Sequence, residues 1–510
     1  MEVSTQSIAL AAVLAVLATL AWRVVNWVWL RPKRLERLLW QQGLSGKPYS
    51  FLFGDIKENT QLLKEAKSKP IAISDDIKPR LFPFLHRSFQ THGKDSFIWM
   101  GPTPRVNIAN PEQLKEIFSK IYEYTKPTPN PLMKLLFDGL VNHEGEKWAR
   151  HRKIINPAFH MEKWKLMLPA FYSSCAEMVD RWERLVSEEK SCEVDAWVDL
   201  QTLTRDVISR TAFGSSFEEG KRIFELREEQ ILLTPKALRS VYIPYWRFVP
   251  TKMNRRMKSI DKEVQAPLTD IVRRREKAIR AGEAASNDLL GLLLESNMKE
   301  NIGMSLYDVI EECKLFYFAG QETTSVLLVW TMVLLSLHPD WQARAREEVL
   351  QTFGRRKPDF DGLNHLKIVT MILNEVLRLY PPATILIRKV EKETKLGKPT
   401  IPPGVLLSMP TLFIHHDKEL WGEDAEEFKP ERFAEGVSKA TKNLVSFFPF
   451  GWGPRICIGQ NFAMIEAKVA LSMILQQFTF ELSPSYAHAP YTSITLQPQY
   501  GARFILHKVN

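Results

Sequence analysis

A single cysteine in a glycine-rich loop near the C-terminus restricts this chain more than any other segment. The loop runs from Phe450 to Gly459 and places Cys457 just before an apolar run that begins at Phe462. This pattern predicts a thiolate at the start of a helix, where free N–H groups and the helix dipole lower the thiol pKa. A lone thiolate without a neighbouring cysteine or histidine fits an axial bond to haem iron better than a zinc site. The alternative is a glycine loop around an inert, buried cysteine.

The chain as a whole has the composition of one ordered globular protein. It has 510 residues, of which 45% are hydrophobic and 25% charged. Because no linker, repeat or low-complexity tract interrupts it after residue 60, we predict one catalytic domain over residues 61–510. Its 4 cysteines are too few and too scattered for a disulfide framework. The net charge of +10 suits a solvated surface, anionic lipid or an acidic electron donor. Nucleic-acid binding is not expected, because the basic residues are dispersed and no recognition motif accompanies them.

The N-terminal segment has the pattern of a membrane anchor. Residues 8–30 are apolar apart from Thr19, Arg23 and Asn26, and as a helix they would extend about 35 Å, enough to cross a bilayer. Basic residues follow this segment, so the positive-inside rule predicts that the large domain is cytosolic. We therefore predict a single-pass anchor over residues 1–30 and a basic hinge and linker over residues 31–60. Pro32 is expected to end the helix, and a cleaved signal peptide is the rival interpretation.

A long buried helix with a polar interruption is predicted from Ser305 to His338. Ser305 and Asp308 suit a capped start, and the residues after Val326 are apolar on every face of a helix. Glycine, glutamate and threonine at positions 320–324 are unfavourable in such a helix, which suggests that these residues have a function. Thr323 can donate a hydrogen bond to the carbonyl of Ala319 and open the helix locally. The alternative is a simple helix kink.

One shorter pattern completes the set. Glu375 and Arg378 are spaced i, i+3 on a predicted helix and can form an ion pair, which on its own could be a surface pair.

Together these segments resemble the cytochrome P-450 superfamily of haem-thiolate monooxygenases. The cysteine loop matches the pattern Phe-x-x-Gly-x-Arg-x-Cys-x-Gly, and positions 319–323 match Ala-Gly-x-Glu-Thr. Over essentially the whole chain, the sequence is most similar to the plant clan that contains secologanin synthase and triterpenoid hydroxylases. The resemblance implies a mainly α fold with small β-sheets, forming a single catalytic domain behind an N-terminal transmembrane helix.

The resemblance also assigns roles to particular residues. It implies that Cys457 ligates the iron of haem b, that Glu322 relays protons and that Thr323 guides oxygen activation. The residues expected to bind the haem propionates are Trp148, Arg152, Arg388 and Arg455. A buried structural triad behind the haem is expected from Glu375, Arg378 and Arg432.

The implied activity is oxidation of a lipophilic plant terpenoid with O2 and electrons from NADPH, delivered by NADPH-cytochrome P-450 reductase. A triterpenoid is favoured, an iridoid or gibberellin is possible, and the endoplasmic-reticulum membrane is the implied location. A haem-thiolate isomerase or dehydratase and a non-catalytic haem binder are the alternatives, and neither needs the Glu322–Thr323 pair. The pocket walls are expected from Thr125–Val141, Leu232–Val249, Phe316, Ala319, Ala383–Ile387 and Ser493–Leu496.

Overall fold

Helices dominate the fold and surround several small sheets. The computed structural model describes residues 5–189, 191–214, 217–238, 248–283, 288–299 and 304–509. The α-helices are α1 (Thr5–Val25), α2 (Arg31–Gln41), α3 (Ile56–Ala66), α4 (Lys78–Leu81), α5 (Pro83–His92), α6 (Pro111–Ser119), α7 (Pro131–Leu136), α8 (Gly145–Ile155), α9 (Met161–Glu189), α10 (Ala196–Phe213), α11 (Phe217–Leu238), α12 (Lys252–Arg280), α13 (Leu289–Lys299), α14 (Leu306–Leu337), α15 (Pro339–Phe353), α16 (Phe360–His365), α17 (Lys367–Leu379), α18 (Thr411–His415), α19 (Lys418–Trp421), α20 (Val437–Ala440) and α21 (Gln460–Gln477). The mainly α fold that the resemblance implied is confirmed.

The strands form one larger sheet and smaller ones. They are β1 (Ser45–Gly46), β2 (Ser96–Met100), β3 (Thr103–Asn107), β4 (Tyr124–Thr125), β5 (Ser191–Asp195), β6 (Leu386–Val390), β7 (Thr394–Lys395), β8 (Thr400–Ile401), β9 (Leu406–Met409), β10 (Phe478–Leu482), β11 (Pro490–Thr492), β12 (Leu496–Pro498) and β13 (Arg503–Lys508). A 6-stranded sheet has the order β1-β2-β3-β9-β6-β4, and a 3-stranded sheet has the order β10-β13-β5. Strands β11 and β12 form an antiparallel hairpin with Thr492 opposite Leu496.

Helix α14 lies at the centre of the main hydrophobic core. Its start is fixed by a capping box, because the Ser305 hydroxyl accepts from the Asp308 N–H while the Asp308 carboxylate accepts from the Ser305 N–H. It ends at Leu337, with His338 at the C-cap. Val329, Trp330 and Leu335 are fully buried. The helix predicted from Ser305 to His338 is therefore present, and it lies in the core as its apolar composition required.

The N-terminal helix is longer than the sequence suggested. Among the described residues, Ile8–Gln41 is one of two helices long and apolar enough to cross a membrane, and its apolar window is exposed, whereas the other helix, Leu306–Leu337, is mostly buried. At the C-terminal end of the first helix, Leu35 and Leu39 are buried in a hydrophobic cluster of the domain. The prediction that Pro32 ends the helix was wrong. A π-helical turn at Asn26–Leu30 leads directly into α2, where Pro32 occupies the first turn. Proline has no N–H to donate, and the change from π-helical to α-helical hydrogen bonding just before it allows the helix to continue.

Candidate functional site

The cysteine loop is held by a backbone hydrogen bond and by tight packing around one glycine, Gly453. The Cys457 N–H donates to the carbonyl of Phe450 at 2.8 Å, and α21 begins three residues later at Gln460. Gly453 has a φ of +71°, and a Cβ there would lie 2.7 Å from the carbonyl oxygen of Phe118. A larger residue would push the loop away from α6, so glycine at this position fixes where the thiol lies.

The pKa of the Cys457 thiol differs from the sequence prediction. Burial raises the pKa of the Cys457 thiol, while the Gly459 N–H, Arg152 and Lys126 act in the opposite direction. The predicted net lowering was wrong, because burial outweighs the local positive groups. The side chain is nevertheless accessible, unlike those of Cys175 and Cys313. An accessible sulphur near the positive charges of Arg152 and Lys126 suits a thiolate ligand to a haem.

Three of the predicted propionate donors surround this loop. The Arg455 guanidinium lies 4.4 Å from the centre of the Trp148 ring. It donates to the carbonyl of His143 at 2.8 Å and pairs with Glu144 at 2.8 Å. Arg152 donates from Nη1 to the carbonyl of Ile456 at 2.9 Å, directly beside Cys457. The structure therefore brings Trp148, Arg152 and Arg455 together with the cysteine, as the family resemblance implied.

Arg388 and Lys126 extend the same positive cluster. Arg388 lies on β6 with only 6% exposure, so it is not an exposed strand arginine. Burial lowers its pKa to about 10, and the charge of Arg455 acts in the same direction. Burial also lowers the pKa of Lys126 to about 7, with contributions from Arg388 and Arg455. Lys126 was not predicted, because it follows a two-residue strand in a loop without a recognisable motif.

This cluster has more positive than negative charge, which suits the binding of the negatively charged propionates of a haem. The carboxylate that acts on Lys126, Arg388 and Arg455 is that of Glu144. Clustered buried cations are unfavourable unless anions balance them. Two propionates beside a thiolate-bound iron would supply that negative charge. The residues present therefore fit a haem whose propionates lie among Lys126, Arg152, Arg388 and Arg455.

The hydrogen bond predicted for Thr323 in the polar interruption of α14 is present, but the predicted local opening of the helix is not, because α14 is continuous from Leu306 to Leu337. The Thr323 hydroxyl donates to the carbonyl of Ala319 at 2.8 Å. The glycine at position 320 is explained by packing, because a Cβ there would lie 2.6 Å from the Ile208 side chain on α10. Glycine thus allows α10 and α14 to approach each other closely. Gly320 is therefore required for helix packing, whether or not Thr323 has a role in the reaction.

The Glu322 side chain is buried and has specific partners. Its Oε1 accepts from the Thr495 hydroxyl at 2.6 Å and also accepts a short bond from the Gln497 amide. Burial raises the pKa of Glu322, whereas the bonds from Thr495 and Gln497 lower it. The carboxyl can therefore hold or release a proton in the interior. Thr495 and Gln497 were not predicted as partners, because they lie more than 170 residues away from Glu322 in sequence.

The predicted triad forms in full. Glu375 and Arg378 are fully buried and make a bidentate pair with both N···O distances at 2.7 Å. Arg432 lies 3.4 Å from the same carboxylate, and the Lys429 N–H donates to it at 2.9 Å. The surface-pair alternative for Glu375 and Arg378 is excluded by their burial. The triad joins α17 to the segment that contains Arg432.

An apolar wall is formed by residues of several predicted pocket segments, together with Ile231 and Phe318. Phe137 and Phe318 stack with ring centres 5.0 Å apart. The apolar wall, the name used below, consists of Met133, Leu136, Phe137, Ile231, Phe318 and Ile494. Phe316 stacks instead on Phe159, with ring centres 5.5 Å apart. Of the predicted segment Leu232–Val249, Leu232 is exposed, and residues 239–247 lie outside the described residues.

The fold and this site define a class of haem protein with a cysteine ligand loop and a mainly helical catalytic domain. The profile of the family described as Cytochrome P450 matches residues 75–502. The chain belongs to the cytochrome P450 family. It is a haem-dependent monooxygenase of the plant 72A type, as its relatives indicate.

Curated relatives match over nearly their full length. Cytochrome P450 72A397 from Kalopanax septemlobus is 61% identical over 496 residues, which is 96% of this chain and 95% of the relative. The 7-deoxyloganic acid hydroxylase of Catharanthus roseus is 55% identical over 521 residues, covering both chains fully. Among solved structures, a retinoic acid-bound cyanobacterial P450, CYP120A1, has a TM-score of 0.74 at 26% identity, covering 84% of this chain and 94% of that chain.

Proposed function

We propose that this protein hydroxylates, or further oxidises, a lipophilic plant terpenoid, with a pentacyclic triterpenoid as the favoured substrate. The observation that supports this proposal is the apolar wall, which brings two predicted pocket segments together and in which Phe137, stacked on Phe318, and Ile494 are only partly buried. Large lipophilic ligands gain most of their binding energy from such surfaces. The similarity to a 7-deoxyloganic acid hydroxylase keeps an iridoid acid as the second candidate.

Different residues of the chain would have different roles in the reaction. Cys457 would ligate the iron of haem b, and Lys126, Arg152, Arg388 and Arg455 would hold its propionates. When bound, the haem supplies oxygen activation and insertion into a C–H bond. Glu322 would hold a proton in the interior, stabilised by Thr495 and Gln497. Thr323 would orient a hydrogen bond on α14, and the triad of Glu375, Arg378 and Arg432 would hold the fold behind the haem.

The membrane arrangement is part of the same proposal. Residues 1–30 would anchor the protein in the endoplasmic-reticulum membrane, residues 31–60 would link the anchor to the domain, and residues 61–510 would form the cytosolic catalytic domain. The exposed apolar helix and the basic residues that follow it support this orientation. Electrons would come from NADPH-cytochrome P-450 reductase, because the chain has no Gly-x-Gly-x-x-Gly nucleotide motif.

A panel of terpenoids tests the substrate directly. Microsomes that contain the protein and its reductase are incubated with triterpenoids, iridoid acids and gibberellins under 18O2, with NADPH. We expect one labelled oxygen atom in a triterpenoid product, detected by mass spectrometry, and no product from the Cys457→Ser variant. If an iridoid acid gains the labelled oxygen atom and no triterpenoid is oxidised, the second candidate substrate is correct and the favoured one is wrong. A labelled gibberellin alone would overturn both.

Thr323→Ala should uncouple oxygen consumption from product formation. The variant loses a hydroxyl that donates to Ala319, and a hydrogen bond of about 1.4 kcal/mol corresponds to about a tenfold change in partitioning. We expect more hydrogen peroxide per NADPH consumed and less hydroxylated product. Thr331→Ala is the matched control, since Thr331 makes the same type of bond to Leu327, at 2.7 Å, further along α14. If both variants release peroxide equally, Thr323 has no special role.

A further inference from the structure

A group of unassigned metal-ligating side chains lies where α8, the loop before it and the start of α14 meet. His143, His151 and Asp308 each offer a ligand atom, and these atoms all lie within 4.8 Å of one another. Both histidines are buried. Within the described part of the chain, the Nε2 atoms of His143 and His151 have no hydrogen-bond partner, and the nearest carboxylate oxygen to His143 Nε2 that forms an ion-pair contact is Glu312 Oε1, at 3.9 Å. Since buried polar atoms are nearly always paired, two neighbouring exceptions point to a missing ligand.

Glu312 prepares one of these histidines for metal binding. The His151 Nδ1 lies 2.6 Å from Glu312 Oε1, and both side chains are fully buried. A carboxylate at this distance accepts a hydrogen bond from Nδ1–H and leaves Nε2 available to another partner. Metal-bound histidines usually have such a carboxylate partner, which fixes the ring and its tautomer. Glu312 is itself held in place, because its Oε2 accepts from the Leu140 N–H at 3.1 Å.

His143 is also suited to be a neutral ligand. Burial lowers its pKa to about 4, and the charge of Lys147 acts in the same direction. At neutral pH the imidazole is therefore uncharged and has a free lone pair. Its ring lies 4.5 Å from that of His151, centre to centre. Asp308 contributes the only negative charge of the three.

We propose that His143, His151 and Asp308 bind one Zn2+ ion, with Glu312 as the outer partner of His151. Two imidazole nitrogens and one carboxylate oxygen are a donor set that zinc accepts, with water as a fourth ligand. The ion would join the loop that contains His143 to the beginning of α14. It would lie beside the residues proposed for the haem propionates, because Arg455 donates to the His143 carbonyl and His151 directly precedes Arg152. We infer that the ion would act as a structural clip.

Lys147 occupies part of this position and is the natural competitor of the metal. Its Nζ lies 2.6 Å from Asp308 Oδ1, but the Lys147 side chain is 43% exposed. An exposed lysine can turn into solvent at little cost when a divalent cation takes its place. In the other group of potential ligands, Asp76, His416 and Glu426, the competing lysine is far less exposed. Its cation, Lys78, is only 12% exposed and pairs with both carboxylates.

Zinc content per haem tests the proposal. The holoprotein is produced without a polyhistidine tag, stripped with EDTA, dialysed against Zn2+ and measured by inductively coupled plasma mass spectrometry. We expect one zinc ion per haem in the unaltered protein and a large loss in His143→Gln and Asp308→Asn. Lys147→Gln should bind zinc more tightly in a calorimetric titration, because the competing cation is gone. His160→Gln and Glu426→Gln, which alter an exposed histidine and the other cluster, should match the unaltered protein.

Three outcomes would overturn the proposal. The first is an unaltered holoprotein that retains no zinc after dialysis. The second is zinc content in folded, haem-loaded His143→Gln and Asp308→Asn equal to that of the unaltered protein, which would indicate adventitious zinc elsewhere. The third is unchanged zinc affinity in Lys147→Gln, which does not depend on whether the ligand variants fold. None of these readings depends on substrate oxidation, so they are independent of the proposed terpenoid activity.

Discussion

Cys457→Ser is expected to abolish substrate oxidation. A serine hydroxyl at this position is a far poorer anion than a thiol, and it cannot supply the electron density by which a thiolate favours O–O cleavage. The loop itself should persist, because the Cys457 N–H bond to Phe450 and the close approach of Gly453 to Phe118 do not involve the sulphur. We expect folded protein with little or no product in microsomal turnover. Haem content and product formation are measured on the same preparation.

Cys192→Ser is the matched control for this experiment. Cys192 lies half-buried on β5, within the antiparallel pairing with β13 and away from the cysteine loop. Its loss should leave both haem content and turnover near those of the unaltered protein. Comparable loss of activity in both variants would indicate a general effect of removing thiols. Activity retained by Cys457→Ser would refute its assignment as the iron ligand.

Glu375→Ala should prevent accumulation of haem-loaded protein. The change removes the bidentate partner of Arg378, which is fully buried, and the acceptor of the Lys429 N–H. A buried cation left without its partner costs about 3–5 kcal/mol of unfolding free energy. Arg378 keeps its bonds to the carbonyls of His415 and Glu427, but these do not neutralise its charge. The haem-to-protein ratio and the urea midpoint of unfolding are the measurements.

Glu431→Ala controls for the loss of a glutamate nearby. Glu431 follows Pro430 in the same segment as Arg432, but its side chain is 50% exposed and pairs with Arg344 at 3.3 Å. Exposed pairs contribute about 0–1 kcal/mol, so this variant should load haem normally. Normal loading of Glu375→Ala would show that the triad does not stabilise the haem domain.

The parts of the site that were predictable from sequence are those encoded by short spacings. Glu375 and Arg378 are one helical turn apart, so their pairing follows from helix geometry once the helix forms. The bond from Thr323 to Ala319 is likewise local. The long helix α14 was predictable because its apolar composition and its capping residues, Ser305 and Asp308, are contiguous. The resemblance then brought Trp148 and Arg455 to the cysteine loop, which spacing alone could not do.

The parts that were not predictable depend on contacts between distant segments. Thr495 and Gln497 reach Glu322 only because the β11–β12 hairpin packs against α14. Burial and the charges of Arg388 and Arg455 lower the pKa of Lys126, and only the fold brings these three residues together. The pKa of Cys457 depends on total burial, which the local dipole argument does not include. A single motif carries no information about such environments.

The central claim is thiolate ligation of the haem by Cys457, and a single spectrum tests it most directly. The purified, reduced protein is exposed to carbon monoxide and its Soret band is recorded. The account predicts the strongly red-shifted band of a thiolate-bound haem in the unaltered protein and its absence in Cys457→Ser. A Soret band at the position of a nitrogen-ligated haem in the unaltered protein, or an unchanged red-shifted band in Cys457→Ser, would contradict it.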